Sequence, residues 1–162
     1  MTVQGHAAPG RTMLGKEAEM TIAAILQDRG ENSIISVSLD MPVVEALALL
    51  ADKRIGAVPV IEREQVVGIL SERDMIYGMR RDGAAFLDRP VREAMTSPVI
   101  TVTSVTTPLE ALAMMTRRRI RHLPVVDDGV LVGFVSIGDL VKARMERIEQ
   151  EAAAMREYIQ TA

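Results

Sequence analysis

Shifted by 65 residues, the chain superposes on itself: Ile35–Met79 aligns with Ile100–Arg144 without a gap. Fourteen of the 45 pairs are identical, where average residue usage gives roughly three. A repeat of this length narrows the fold more than composition does, because two copies of one small unit must complete each other. The identities fall at Ile35/Ile100, Val37/Val102, the Glu-Ala-Leu-Ala runs 45–48 and 110–113, and Arg54-Ile55/Arg119-Ile120. Pro59-Val60/Pro124-Val125, Val67-Gly68/Val132-Gly133, Ser71/Ser136 and Asp74/Asp139 complete the set.

Each copy has the same order of elements. The stretches at Ile35–Leu39 and Ile100–Ser104 alternate and are β-branched, which predicts short strands. Helices follow over Val43–Arg54 and Pro108–Arg119; the second opens on a capping box with Thr107 as N-cap, Pro108 at N1 and Glu110 at N3. Leu109, Leu112, Ala113, Met115 and Thr116 mark its expected inward face. Ala57–Ile61 and His122–Val126 read as strands, turning at Glu62–Gln65 and Asp127–Gly129 into the hairpin partners Val66–Leu70 and Leu131–Val135. A helix closes each unit after Ser71 or Ser136, and a leading helix opens each, Thr21–Leu26 and Val91–Met95.

The expected division is a loose tail 1–19, a first unit 20–82, a polar join 83–90, a second unit 91–144 and a helical extension 145–162. A unit of about 55 residues buries too little surface to stand comfortably alone. The fold class expected is therefore α/β, two β-α-β-β-α units packed sheet to sheet about a pseudo-twofold axis, with a crevice between them.

Composition removes several functions. With no cysteine there are no disulfides, thiolate metal sites or Cys nucleophiles, which fits a reducing, cytoplasmic setting. A net charge of −3 and 2% aromatic residues supply neither the field nor the stacking platforms of a nucleic-acid binder. No apolar run reaches the roughly 18 residues of a membrane span, and Met1–Glu19 lacks the apolar segment of a signal peptide.

Each copy ends on Gly-x-x-Ser-x-x-Asp, Gly68–Asp74 and Gly133–Asp139. By itself Ser-x-x-Asp is a helix cap: the hydroxyl satisfies an orphan amide and the acid lies at the positive end of the helix dipole. A second use is compatible with the first. Helix amides at the mouth of a crevice receive phosphate, and a carboxylate there accepts both hydroxyls of a ribose.

Two β-α-β-β-α units with Leu-Pro-Val-Val-type strands before Gly-x-x-Ser-x-x-Asp resemble a pair of CBS domains, a Bateman module. The likeness covers about Met20 to Arg144, and Arg119–Val126 with Val132–Lys142 resembles small stand-alone CBS-pair proteins of bacteria and plant organelles. It implies a non-catalytic regulatory module whose crevice binds AMP, ADP, ATP or NAD(H), with S-adenosylmethionine less favoured. It also implies a homodimer, and a separate effector protein that reads the ligand-induced change. Asp74 and Asp139 match the family's ribose position, and Ser71 and Ser136 its ribose or phosphate hydroxyl.

The copies differ beside this motif: Glu72-Arg73 becomes Ile137-Gly138, and Ala57 becomes His122. Two non-equivalent pockets are expected. Arg73, Arg119, Arg121 and His122 are candidates for a ligand phosphate, with strand alternation sending Arg121 and His122 to opposite faces. For the basic run Arg117–Arg121 a solvated helix end is the other reading. Ile34, Ala57, Val58, Pro59, Val99, Ile100, Leu123 and Pro124 serve equally as walls for an adenine or as ordinary core. His122 has no second ligand for a metal.

Catalysis is the rival class, and its signatures are missing: no Ser–His pairing with a third group and no phosphate-loop Gly-Lys-Ser/Thr. The alternative binding function is a structural dimerisation or nucleic-acid module using Arg117–Arg121.

Overall fold

A computed structural model describes residues 20–28 and 34–161. The tail 1–19, residues 29–33 and Ala162 lie outside it. Two hairpins form the framework: β2 (Ala57–Glu62) with β3 (Gln65–Ser71), and β4 (His122–Asp127) with β5 (Val130–Ser136). The repeat is kept to the level of register. Val60 pairs with Gly68 and Val125 with Gly133, and both ladders slip at the next residue. Both loops are two residues with positive φ, Arg63-Glu64 and Asp128-Gly129, as the right-handed twist of a hairpin requires.

The first strands are shorter than expected. β1 is only Val37–Ser38, parallel to β2, and its counterpart is a single bridge from Val102 to Val125. The repeated prolines account for this. Val102 N–H donates to the Pro124 carbonyl (3.0 Å) and Val126 N–H to the Val102 carbonyl (2.8 Å). The next rung would need an N–H on Pro124, which proline lacks. Pro59 ends the first ladder in the same way, immediately before Val60.

Helices α2 (Val43–Lys53) and α4 (Pro108–Arg118) cover the sheets. The inward face of α4 is Pro108, Ala111 and Met115, with Leu112 half-buried. This corrects the expected face at three positions, since Leu109, Ala113 and Thr116 are all exposed. Leu109 is 66% exposed, one residue and about 100° round the helix from Pro108. The Thr107–Glu110 capping box is present, and these hydrogen bonds hold the Glu110 carboxyl below its ordinary range.

The leading segments are exchanged. α1 (Ile22–Asp28) precedes the first unit but buries Ile22 and Ile25 in the second core, with Val102, Ala111, Met115, Leu123 and Leu140. Val91 precedes the second unit but lies in the first core with Val43, Leu50, Val58, Leu70 and Phe86. Here the expected helix 91–95 is one 3-10 turn, Val91–Glu93. The join 83–90, expected to be polar, carries the fully buried Phe86. The exchange also explains the glycine of the repeated phrase. A Cβ on Gly68 would lie 2.5 Å from Met95 Sδ, and one on Gly133 would lie 2.5 Å from Leu26 Cδ1. Each glycine is the seat for a side chain from the other copy's leading segment.

α3 (Glu72–Asp82) and α5 (Ile137–Thr161) start where β3 and β5 end. That junction places Ser71, Asp74, Ser136 and Asp139 at the boundary between the units.

Candidate functional site

The two final helices are capped alike. Asp74 Oδ2 accepts from the Ser71 amide (2.8 Å) and hydroxyl (2.7 Å), and the Asp74 amide donates back to Ser71 Oγ. Asp139 Oδ2 does the same with Ser136, at 2.6 and 2.7 Å. Asp74 Oδ1 also accepts from the Thr96 hydroxyl at 2.9 Å. An ionised carboxylate offers about four acceptor positions, and the cap engages one oxygen of each acid.

Both acids line a cavity as well as capping a helix. The wider cavity, about 540 Å³, takes Ser136, Asp139, His122, Val132 and Phe134 from the second unit. Ile34, Ile35, Arg54, Ile55, Gly56 and Ala57 come from the first, with Leu26 of α1. The narrower cavity, about 180 Å³, inverts the arrangement: Ser71, Glu72, Arg73 and Asp74 of the first unit face Arg119, Ile120, Arg121 and His122 of the second. The two are related by the repeat, since Arg54-Ile55-Gly56-Ala57 stands where Arg119-Ile120-Arg121-His122 stands. Drug-sized ligand pockets usually enclose about 300–1,000 Å³, and only the wider of these two falls in that range.

Side chains cause the difference. Arg73 reaches across the boundary and donates from Nη1 to the Arg119 carbonyl at 3.2 Å. Arg119 ends α4 in a left-handed conformation (φ 55°), as Arg54 ends α2 (φ 53°). Opposite Arg54 the equivalent of Arg73 is Gly138, and the equivalent of Arg121 is Gly56. The wider cavity therefore lacks both the latch and the bulky wall.

Helix-terminus amides are also partly used. Glu72 N–H donates to the Gly56 carbonyl (3.0 Å) and Ile137 N–H to the Arg121 carbonyl (2.8 Å), tying each final helix to the strand entrance of its own unit. His122 lies against both cavities and stacks on Phe134, ring centroids 5.6 Å apart and 10° from parallel. Burial pushes its imidazole below the ordinary value, while the Asp139 and Glu72 carboxylates oppose the shift.

The structure sorts the candidates. Ser71, Arg73, Asp74, Arg119, Arg121 and His122 meet at the narrow cavity; Ser136, Asp139, His122, Ile34 and Ala57 meet at the wide one. Arg121 and His122 share a cavity although alternation placed them on opposite faces: Arg121 precedes β4, so alternation does not reach it. Val58 and Leu123 point into the two cores, and Ile100 packs against the second. Pro59 and Pro124 are buried within their strands, and Val99 is half-buried; none of the three lines either cavity. Arg117 and Arg118 are exposed on the last turn of α4, so the basic run is divided between solvent and cavity.

Arg54, Gly56, Phe134, Thr96 and Leu26 are cavity residues the sequence reading missed. The repeat itself pointed to Arg54, the counterpart of Arg119. Asp139 also borders a further hollow of about 310 Å³ between α1 and α5, with Asp28, Lys142 and Arg147. Among the described residues no cluster of metal-ligand side chains occurs, and no helix is long and apolar enough to cross a membrane.

Comparisons with known proteins agree with this architecture. The family model described as CBS domain matches residues 31–81 and 91–146. A mitochondrial CBS domain-containing protein of Arabidopsis thaliana, CBSX3, is 32% identical over 148 residues, 86% of this chain and 72% of its own length. The crystal structure of the CBS-domain protein ATU1752 from Agrobacterium tumefaciens superposes with a TM-score of 0.73 at 36% identity, covering 77% of this chain and 99% of that one. The crystal structure of CBSX2, solved in complex with AMP, gives 0.65 at 26% identity, covering 78% and 96%.

Proposed function

The chain belongs to the CBS-domain family, and from that premise we propose that it is a non-catalytic sensor whose wide cavity takes one adenosine ligand. The observation that carries this reading is the place of Asp139: one carboxylate caps α5 and lines an open 540 Å³ cavity built by both units. A carboxylate placed there suits the two hydroxyls of a ribose. Ile34, Ile35, Ala57 and the His122–Phe134 stack suit the flat, apolar base. Arg54 and the first-turn amides of α5 suit a phosphate. AMP, ADP, ATP and NAD(H) share these parts; the hollow beyond Asp139 gives the longer ones a place for their second half. S-adenosylmethionine, a cation without a phosphate, makes less use of Arg54.

Because the walls come from both units, a ligand that fits one inter-unit angle better than another shifts the population toward it. An effector protein reads that shift. Two chains pair through exposed apolar positions that the repeat presents twice, Val44 with Leu109 (44 and 66% exposed) and Ile76 with Val141 (66 and 43%).

Thermal unfolding with a panel of adenosine ligands tests the site. Ligand at a hundred times Kd adds about 2.7 kcal/mol, several degrees for a chain of this size. Asp139→Ala is expected to lose that increment for every ligand on the panel. Its unliganded stability falls by only about 1 kcal/mol, the worth of a helix cap. A full ligand increment in Asp139→Ala would remove the acid from the site.

A further inference from the structure

The second half of α5 carries an apolar stripe that nothing among the described residues covers. Beyond Arg147 no side chain of the helix is buried, and only Ala152 is half-buried. Met145, Ile148, Met155, Tyr158 and Ile159 are 57, 49, 62, 72 and 68% exposed. A helical segment this short is marginal in water when it packs on nothing. The i,i+4 pairs Lys142–Glu146 and Arg147–Glu151 give weak support.

The spacing of the stripe identifies what covers it. Val141, Met145, Ile148, Ala152, Met155 and Ile159 recur at alternating steps of four and three, the period of a left-handed two-stranded coil. The positions flanking this seam are Arg144, Glu151 and Tyr158 on one side, Lys142, Glu149 and Arg156 on the other. In a parallel coil each residue of the first side meets the residue five further along the opposite helix. In register, Arg144 meets Glu149 of a second copy and Glu151 meets its Arg156; both pairs are unlike, and symmetry makes each twice. A slip of one heptad sets Arg144 against Arg156 and Glu151 against Glu149, like against like. The polar surface of 145–161 holds four Glu and two Arg, which an anionic membrane would repel. The complement to this helix is the helix itself.

We propose that residues 141–161 pair with the same segment of a second copy as a parallel, in-register coil that fixes the mutual orientation of two modules. The inference deepens the pairing of chains proposed above and rests on it. The chain has no cysteine, so a single introduced thiol reports the register. Ala152 lies on the seam and Ala153 beside it, both on the surface of α5 and outside both cavities.

Under mild oxidation Ala152→Cys is expected to give covalent dimer at least about tenfold faster than Ala153→Cys, since like seam positions of a parallel coil face each other. In sedimentation equilibrium Glu151→Arg is expected to weaken pairing about tenfold, and adding Arg156→Glu restores it. A chain that is dimeric while Ala152→Cys reacts no faster than Ala153→Cys overturns the coil and leaves the module pairing standing. So does Glu151→Arg pairing as tightly as the unchanged chain. A monomer across the micromolar range overturns both.

Discussion

The wide and narrow cavities descend from one pattern, with the same capped helix, the same Ser and Asp and the same left-handed arginine at the opposite rim. They differ threefold in volume, about 540 against 180 Å³. The cause is not the shared motif but the two residues between Ser and Asp and the two that follow the shared Arg-Ile pair. Where those are Glu-Arg and Arg-His, side chains occupy the space and Arg73 bolts one unit to the other. Where they are Ile-Gly and Gly-Ala, room is left for a ligand. The two copies share the motif and differ in the space that lies in front of it.

The largest effect is expected from moving the bolt. A Cβ on Gly138 would meet only Ser136 Oγ, at 3.6 Å, so arginine enters there without strain and with better helix propensity than glycine. Gly138→Arg should reach the Arg54 carbonyl as Arg73 reaches that of Arg119, fill the wide cavity and weaken nucleotide binding about a hundredfold, about 2.7 kcal/mol. Titration calorimetry reads this directly, and unchanged affinity would break the comparison.

The converse change is smaller. Arg73→Gly should open the narrow cavity to a second site, about tenfold weaker than the first because Arg121 and His122 still occupy its far wall. A second binding phase in the same titration checks it.

The smallest effect belongs to His122, which borders both cavities. Burial holds its imidazole below the ordinary 6.5, so the unfolded chain takes up this proton first as pH falls. The contribution to stability is complete above about pH 6.5 and declines as pH drops below it toward the folded value. His122→Gln should flatten that part of the curve, measured as urea midpoint against pH; an identical slope in both proteins would mean the group does not titrate differently on folding.

The repeat made most of the fold legible. Fourteen identities fixed the unit, the hairpins and the capping boxes, because those features are local in sequence. Three features escaped for a common reason: each depends on residues distant along the chain. The exchange of α1 and Val91 between cores leaves no mark in either unit's own periodicity. The short first strands follow from a missing N–H on a neighbouring strand, although Pro59 and Pro124 were in view. Phe134 and Thr96 join cavities through partners 12 and 22 residues away (His122 and Asp74), a distance over which no pattern runs. The acids themselves were legible because the sequence states them twice. Val58 and Leu123, grouped beside them as possible walls, belong to the cores because strand alternation turns them away from Ala57 and His122.

Stoichiometry tests the central claim most directly. Calorimetric titration of the unchanged chain with AMP should give one site per chain, and Gly138→Arg should weaken that site about a hundredfold while leaving the fold intact by circular dichroism. Two equal sites per chain, or one whose affinity Gly138→Arg leaves unchanged, would contradict the assignment of binding to the wide cavity.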